Sequence, residues 1–221
     1  MSLSEAEILS NIIRQRKTEK VLCEASSIQE IPSDLQQKNQ QIILDAIETA
    51  GWAPFHYPRQ IDEIAEPWRA HLIWSDNCPK IAQYLTSEIG CTTKEPNLTA
   101  GCSALALITW LPEVQRDDLG NLPRATLSAK LARDEEHLAA ASAMVQNFLL
   151  ILTAHGMGTY WSSGGKLGKD DMFQYLNIPR HERLLAAVFI EYPEMMTDGK
   201  DRKPGKHRDK RSNRWIREVN L

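Results

Sequence analysis

Residues 134–165 read DEEHLAAASAMVQNFLLILTAHGMGTYWSSGG, and this stretch decides the fold. Its apolar residues recur at three- to four-residue spacing, the period of one helix face; they are Leu138, Ala141, Val145, Phe148, Leu149 and Leu152. Asp134 and Glu135 suit a helix N-terminus, because the helix dipole favours negative charge there. Gly156 stands where a left-handed C-terminal cap is expected. The pattern predicts a central, largely buried helix that ends at a glycine turn.

A second glycine turn follows this helix after a short apolar run. It consists of Ser162, Ser163, Gly164 and Gly165. Glycines leave backbone N–H groups free of neighbouring bulk, so such a turn can approach a ligand closely. It can equally be an ordinary turn, and this segment alone does not separate the two interpretations.

The same periodicity arguments apply to the rest of the chain. They predict helices over 4–15, 32–50, 77–90 and 170–176, and strands over 68–75, 103–111 and 184–191. Ser4 and Glu7 form a capping box for the first helix. The run 103–111 is almost continuously apolar, which indicates a strand covered on both faces. We interpret 55–67 and the linker around Pro96 as loops, and 113–133 as a loop with a short helix. Helices and strands do not alternate strictly, so the predicted class is α+β.

Composition describes an ordinary soluble protein. The chain has 221 residues, of which 42% are hydrophobic and 25% charged, with a formal net charge of −3. This balance excludes a general nucleic-acid binder. The four cysteines form no C-x-x-C pair, the N-terminus does not resemble a signal peptide, and no uninterrupted apolar run reaches membrane-spanning length. We therefore expect a cytoplasmic protein with no membrane and no nucleic-acid partner.

Positive charge is concentrated near the C-terminus. From Asp198 to Leu221 there are nine lysines or arginines against four acids. Such a segment can bind an anion, coat nucleic acid or form a solvated arm.

Common catalytic motifs are missing from the sequence. It contains no P-loop, G-x-G-x-x-G, H-E-x-x-H or G-x-S-x-G pattern. His137, His155 and His181 are scattered, so we predict no metal site. Three segments remain that could bind a ligand: the Arg16–Lys20 cluster, the Ser163-Gly164 turn and the Lys206–Arg208 segment.

Taken in order, these segments resemble those of the nitroreductase family of FMN-dependent oxidoreductases. The corresponding motifs here are Arg16-Lys17-Thr18-Glu19-Lys20, Ala53-Pro54-Phe55, Glu66-Pro67-Trp68, Gln146-Asn147-Phe148-Leu149-Leu150, Gly156-Met157-Gly158-Thr159 and Lys206-His207-Arg208. The resemblance spans residues 14 to about 210.

The resemblance implies a fold and an activity. The fold is one domain over 1–221, with a mainly antiparallel sheet flanked by helices and a C-terminal extension, 195–221, exchanged between the subunits of a homodimer. The activity is ping-pong hydride transfer through flavin N5, from NADH or NADPH to a nitroaromatic, a quinone or another conjugated acceptor. Because FMN carries the electrons, no catalytic side chain is expected.

The resemblance also assigns cofactor-binding roles to individual residues. Arg16, Lys206 and Arg208 would bind the FMN phosphate, since a phosphate needs converging cations. The Thr18 hydroxyl would add a hydrogen bond, with Lys17 beside it. Lys20 would lie near the pyrimidine edge of the ring. The Gly164 amide would face flavin N5, with Ser162 and Ser163 beside it.

The segment around the second motif departs from the family pattern. Phe55 replaces a serine, and Pro54, Phe55, His56 and Tyr57 would either face the ring and substrate or pack in the dimer interface. This change leaves a second function open, that of a flavin-binding sensor or carrier without efficient turnover. A third interpretation is that the basic C-terminal segment binds nucleic acid or an acidic partner.

Overall fold

An antiparallel four-stranded sheet forms the centre of the protein, in a computed structural model that describes residues 3–24, 30–196, 200–212 and 214–219. The strand order is β2-β3-β5-β4. These strands are β2 (Trp68–Trp74), β3 (Ala104–Trp110), β4 (Gly158–Ser162) and β5 (Arg183–Glu191). The predicted α+β class and the mainly antiparallel sheet are confirmed.

Helices cover both faces of this sheet. The helices of the described residues are α1 (Glu5–Gln15), which has no buried residue, and the covering helices α2 (Ser33–Ala50), α3 (Cys78–Ser87), α4 (Glu95–Gly101), α5 (Arg124–Ala154) and α6 (Asp170–Tyr175). On β3, Ala106 and Ile108 belong to the core that α2 and α5 share, whereas Leu105 and Leu107 belong to the core beneath α3, α4 and α6. Alternate residues of a strand point to opposite faces. The continuously apolar run predicted a strand covered on both faces, and the structure confirms it.

Helix α5 is the central helix predicted from 134–165, and its end is as expected. Gly156 adopts φ +74. Its N–H donates to the Thr153 carbonyl, and the Met157 N–H donates to the Leu152 carbonyl, both at 3.0 Å. These are the two hydrogen bonds of a Schellman cap.

The start of α5 was predicted wrongly. The helix begins at Arg124, so residues 124–133 are its first turns and not a loop with a separate short helix. Asp134 is therefore inside the helix, where its carboxylate accepts the backbone N–H groups of Glu113 and Val114 at 2.6 and 3.2 Å. It is a buried anchor for the preceding loop and not an N-terminal charge.

Among the described residues, α5 is also the one helix long and apolar enough, by length and composition, to cross a membrane. The sequence has no uninterrupted apolar run of that length here, because Ser142, Gln146 and Asn147 interrupt the stretch. Phe148, Leu149 and Leu152 are nevertheless fully buried against the sheet. In this fold the apolar stretch of α5 therefore forms the core.

Two other short helices test the sequence predictions. The Ser4–Glu7 capping box of α1 is present, with Ser4 Oγ accepting the Glu7 N–H at 3.3 Å. Helix α4 was missed, because its segment was interpreted as a linker around Pro96. That proline lies in the first turn of α4, where its missing N–H has no helical partner to lose.

A small two-stranded sheet joins the ends of the chain. Strand β1 (Glu19–Leu22) pairs antiparallel with β6 (Asp201–Pro204), and a parallel bridge between Thr18 and Thr159 brings β1 to the β4 edge. Residues 201–204 of the predicted extension, 195–221, pair with β1 of the same chain. Exchange of this extension between subunits stays a prediction. Within this extension, 197–199, 213, 220 and 221 lie outside the described residues.

Candidate functional site

A cavity of about 970 Å³ lies where the two ends of the chain meet, and we call it the basic cavity. Its lining residues are Ile13, Arg14, Arg16, Lys17, Thr18, Lys20, Tyr160, Pro204, Gly205, Lys206, His207, Arg208 and Arg211. None of these described lining residues is acidic. The cavity thus brings together all six terminal residues that the sequence predicted for cofactor binding.

Backbone pairing between β1 and β6 holds this cavity together. The Gly205 N–H donates to the Thr18 carbonyl at 3.1 Å, directly after the last pair of the β1–β6 ladder. An Arg208 guanidinium N–H donates to the Arg14 carbonyl at the end of α1. The segments before β1 and after β6 therefore face each other across the cavity.

Arg16 is the cation whose surroundings most resemble an anion site. Its Nε is buried and has no hydrogen-bond partner within the described part of the chain. Burial lowers the pKa of the Arg16 guanidinium, because removal from water disfavours the charged form. Native proteins seldom leave a buried donor unpaired, so a bound anion would complete this site.

The other predicted phosphate ligands are closer to solvent. Lys206 and Arg208 are exposed on the cavity wall, and Thr18 is half-buried. Lys17 forms an ion pair with Glu19, with 2.8 Å between Nζ and Oε1. That pair neutralises Lys17 in part, so Lys17 contributes less positive charge to the cavity than its neighbours.

Lys20 and Tyr160 extend the cavity along the sheet. Lys20 Nζ lies over the Tyr160 ring, 4.8 Å from its centroid, an arrangement typical of a cation–π contact. Tyr160 and Ser162 lie on the same face of β4, about 7 Å apart by strand geometry. The predicted glycine turn, which begins at Ser162, therefore starts two residues beyond Tyr160 on the wall of the basic cavity.

The turn after β4 is built around two glycines in the left-handed region, Gly164 (φ +86) and Gly165 (φ +52). Each is tightly packed, because an added Cβ would collide with Leu184 at Gly164 and with the Glu95 carboxylate at Gly165. The Gly164 N–H donates to Ser162 Oγ at 3.2 Å. Neither Ser162 nor Gly164 lines the basic cavity.

Ser163 does not line the basic cavity either. Its side chain is exposed and lines a separate cavity of about 260 Å³ beside Glu182 and Arg183. Glu182 is buried there and is hydrogen-bonded by Thr109 and by His71 Nε2, the latter at 2.7 Å. Burial acts to raise the pKa of Glu182, but these hydrogen bonds outweigh it and hold the pKa below its ordinary value. This carboxylate is a structural anchor of the sheet edge.

Residues 54–57 lie apart from the basic cavity of the same chain. Phe55 lines an apolar cavity of about 590 Å³ and packs edge-on against Trp68, with 5.6 Å between ring centroids. His56 stacks on Tyr57, and His56 Nδ1 lies 3.2 Å from a Glu136 oxygen. Pro54 is exposed. Within one chain, these residues do not reach the predicted cofactor site.

Comparison with known proteins assigns the chain to a family. The model of the nitroreductase family matches residues 36–190, which is more than half of the chain. The chain belongs to the nitroreductase family. The matched residues contain the four-stranded sheet up to Ile190 and the central helix, whereas all described lining residues of the basic cavity except Tyr160 lie outside the match.

Individual nitroreductase relatives are similar over nearly the whole length. A Bacillus subtilis (strain 168) protein named "Putative NAD(P)H nitroreductase YfhC" is 26% identical over 210 residues, covering 91% of this chain and 93% of its own. A solved nitroreductase-like family protein from Bacillus cereus has a TM-score of 0.60 at 18% identity, covering 96% and 97% of the two chains. A nitroreductase from Bacteroides fragilis NCTC 9343, solved with bound FMN, has a TM-score of 0.57 at 14% identity, covering 99% and 100%.

Seven of the described lining residues of the basic cavity were not among the predicted site residues, including Arg14, Tyr160 and Arg211. Arg14 lies in the last turn of α1, Tyr160 lies on β4, and Arg211 follows Lys210. A signal was available for Tyr160, since it precedes Ser162 by two residues on a strand and so shares its face. Arg14 and Arg211 carried no signal beyond their charge.

Proposed function

We propose that this nitroreductase-family protein is an FMN-dependent oxidoreductase that takes electrons from NADH or NADPH and reduces conjugated small molecules such as nitroaromatics or quinones. One observation carries the proposal: Arg16, Thr18, Lys206 and Arg208, from opposite ends of the chain, line one cavity. The family match and the FMN-bound Bacteroides fragilis relative support it. The named activity of the Bacillus subtilis relative supports the nicotinamide donor.

The cavity suits a phosphate monoester. Such a group carries nearly two negative charges at neutral pH and several acceptor oxygens. The unpartnered Arg16 Nε would donate to it, Lys206 and Arg208 would balance its charge, and the Thr18 hydroxyl would add a hydrogen bond. The desolvation cost of Arg16 would then be offset by a neighbouring anion.

The residues beyond the phosphate site suit an aromatic ring system. Lys20 is held near the Tyr160 ring, where it would stabilise negative charge on the pyrimidine side of the flavin. The Gly164 amide would have to leave Ser162 Oγ to face the ring. FMN, when bound, supplies the redox chemistry that these side chains lack, and the protein contributes position and charge.

We propose that the functional unit is a cytoplasmic homodimer. Several large apolar side chains are exposed in the single chain, including Trp52 (88% exposed) and Trp215 (77%). Trp52 lines the same apolar cavity as Phe55 and the exposed Ile64 (42%), and a contiguous apolar surface of this kind suits a partner subunit. In the homodimer, Phe55, His56 and Tyr57 of one subunit would face the cofactor or the substrate of the other.

An absorbance spectrum followed by anaerobic addition of NADH or NADPH tests the proposal. We expect purified or FMN-reconstituted protein to show flavin absorption in the blue and to lose it on reduction, and then to regain it when a quinone is added. A yellow protein that does not bleach would instead support the flavin-binding sensor or carrier. A protein that remains colourless after incubation with FMN would contradict both functions.

A further inference from the structure

Two of the four cysteines meet inside the protein. Cys78 and Cys102 are 24 residues apart in the sequence, and their Sγ atoms lie 3.9 Å from each other. Cys78 is 1% exposed and Cys102 is 6% exposed, and both belong to the core beneath α3, α4 and α6. All four cysteines are free thiols. The fold therefore holds two reduced sulfur atoms side by side.

The backbone around this thiol pair leaves room for the sulfur atoms to approach. Cys78 is the first residue of α3, and Cys102 lies in the two-residue link between α4 and β3. A disulfide needs about 2.0 Å between its sulfur atoms, so rotation about the Cα–Cβ bonds has to shorten the separation by about 1.9 Å. This rotation breaks only weak thiol hydrogen bonds, those to the carbonyls of Ile73 at 3.8 Å and Thr99 at 3.2 Å.

A buried cysteine usually acts as a small apolar side chain. Cys91 is an example, because it is 6% exposed in the same core and its sulfur lies 3.2 Å from the Thr93 hydroxyl. Cys78 and Cys102 differ from Cys91, since each has a second thiol within reach. Two thiols that the fold holds together react with each other in an intramolecular step, which gives them a high effective concentration.

We propose that Cys78 and Cys102 form a reversible disulfide when the protein meets peroxide, and that this disulfide fastens α3 to the end of α4. Hydrogen peroxide first converts one thiol to a sulfenic acid, with release of water. The other thiol attacks the sulfenic sulfur, so that the S–S bond forms and a second water leaves. The two thiols lose two electrons and two protons, and the peroxide is reduced to two waters. A dithiol restores both cysteines by thiol–disulfide exchange.

Burial makes this oxidation slow. Burial raises the pKa of the Cys102 thiol, and its contact with Cys78 raises that pKa further. Because the thiolate is the reactive form, we expect the disulfide to form over minutes to hours, as local opening exposes the pair. The disulfide would thus respond to sustained oxidation. This inference goes beyond the proposed flavin function and does not depend on it.

The test counts and maps thiols in full-length protein treated with hydrogen peroxide for several hours. Trypsin places each cysteine in its own peptide, and these peptides are 21–38, 70–80, 81–94 and 95–116. We expect denatured wild type to show four thiols before treatment and two after it, with peptide 70–80 joined to peptide 95–116. A dithiol reductant should restore all four.

Cys91→Ala is the matched control, since Cys91 is as buried as Cys102 but its sulfur contacts a hydroxyl. This variant should keep the bridge, whereas Cys78→Ala and Cys102→Ala should each abolish it. A bridge that includes Cys91 or Cys23, or a wild type that keeps four thiols, would overturn the inference. The wild-type peptide map decides this even where an alanine variant fails to fold.

Thermal unfolding tests whether the disulfide fastens the two helices. A bridge across 24 residues should raise the melting temperature of peroxide-treated wild type by about 5–10 °C, and a dithiol reductant should reverse the rise. Cys102→Ala should show no change that the reductant reverses. An unchanged melting temperature in cross-linked wild type would contradict the fastening of α3 to α4. FMN binding takes no part in these measurements, so their failure would leave the proposed function standing.

Discussion

The backbone N–H of Gly205 donates to the carbonyl oxygen of Thr18 at 3.1 Å, and this hydrogen bond closes the basic cavity. The approach is so close that a Cβ on Gly205 would lie 2.9 Å from Thr18 Cβ. Residue 205 therefore has no room for a side chain unless Thr18 moves. Because Thr18 lies between Arg16 and Lys20, any such movement would also shift the cations of the proposed phosphate site.

Gly205→Val should accordingly weaken FMN binding more than it weakens the fold. We expect the FMN dissociation constant to rise about tenfold, equivalent to about 1.4 kcal/mol. Quenching of flavin fluorescence measures it. Lys203→Ala, an exposed change on β6, is the control and should bind FMN as wild type does. Unchanged affinity in Gly205→Val would mean that the position of Thr18 does not matter for the cofactor.

Gly164→Ala should disturb both the β4 turn and the flavin chemistry. The positive φ of Gly164 costs an alanine about 1–2 kcal/mol, and its Cβ would also meet Leu184. Gly90→Ala is a matched control, because Gly90 has φ +63 but nothing near its Cβ position. Both variants should lower the melting temperature. Only Gly164→Ala should slow anaerobic flavin reduction. Equal reduction rates in the two variants would show that this turn does not influence the cofactor.

Glu191 should be essential for holding the C-terminal strand. It is 1% exposed at the end of β5, and Lys200 Nζ lies 2.9 Å and Arg202 Nη2 3.6 Å from its Oε1. Removal of one partner from a buried ion pair typically costs 3–5 kcal/mol, so Glu191→Gln should lower the free energy of unfolding by about that much. Hydrogen exchange should increase most in 201–204.

Glu194→Gln provides the comparison for Glu191. Glu194 pairs with the exposed Lys38 at 2.8 Å, and exposed pairs contribute only about 0–1 kcal/mol. Denaturant unfolding of both variants distinguishes the two sites. Similar losses of the free energy of unfolding in the two variants would show that β6 does not depend on the contacts of Glu191 with Lys200 and Arg202.

His137 should make the protein less stable in mild acid. Its side chain is 1% exposed, and burial lowers its pKa below the ordinary value of 6.5, an effect that Glu113 only partly offsets. Below pH 6.5, His137 therefore binds a proton in the unfolded chain but stays neutral in the folded protein. Stability should be full above that pH and should fall as the pH drops toward the lower folded-state pKa.

Denaturant unfolding between pH 7 and pH 5 measures this effect. We expect His137→Gln to flatten the decline of the free energy of unfolding, whereas His155→Gln, at an exposed position, should leave it unchanged. The pKa values of Glu113 and Glu182 are also lowered, but these carboxylates change the free energy of unfolding only below pH 4.5, outside the range measured here. An unaltered decline in His137→Gln would assign the acid sensitivity to other groups.

The predictable parts of the fold are those whose residues carry a local signal. The end of α5 follows from Gly156, the double-sided burial of β3 from its unbroken apolar run, and the start of α1 from Ser4 and Glu7. Each depends on interactions within a few residues, which periodicity and capping rules describe.

The parts that were missed depend on distant contacts. Polar residues 124–133 looked like a loop, because that end of α5 has few apolar side chains to define its period. The β1–β6 pairing involves four-residue strands of mixed polarity from opposite ends of the chain, and only the folded structure shows their register. The motif resemblance brought Arg16, Lys206 and Arg208 together at one predicted phosphate site, whereas the sequence could not show that Arg14 and Arg211 line the same cavity.

Cations from both ends of the chain, in the proposed function, bind one phosphate. The most direct measurement is the FMN dissociation constant of Arg16→Ala/Arg208→Ala against wild type, with Arg124→Ala as an exposed control outside the cavity. We predict at least a hundredfold loss of affinity in the double variant, because two charge-assisted contacts contribute about 3 kcal/mol or more, and none in the control. An FMN affinity within about twofold of wild type in the double variant would contradict the account.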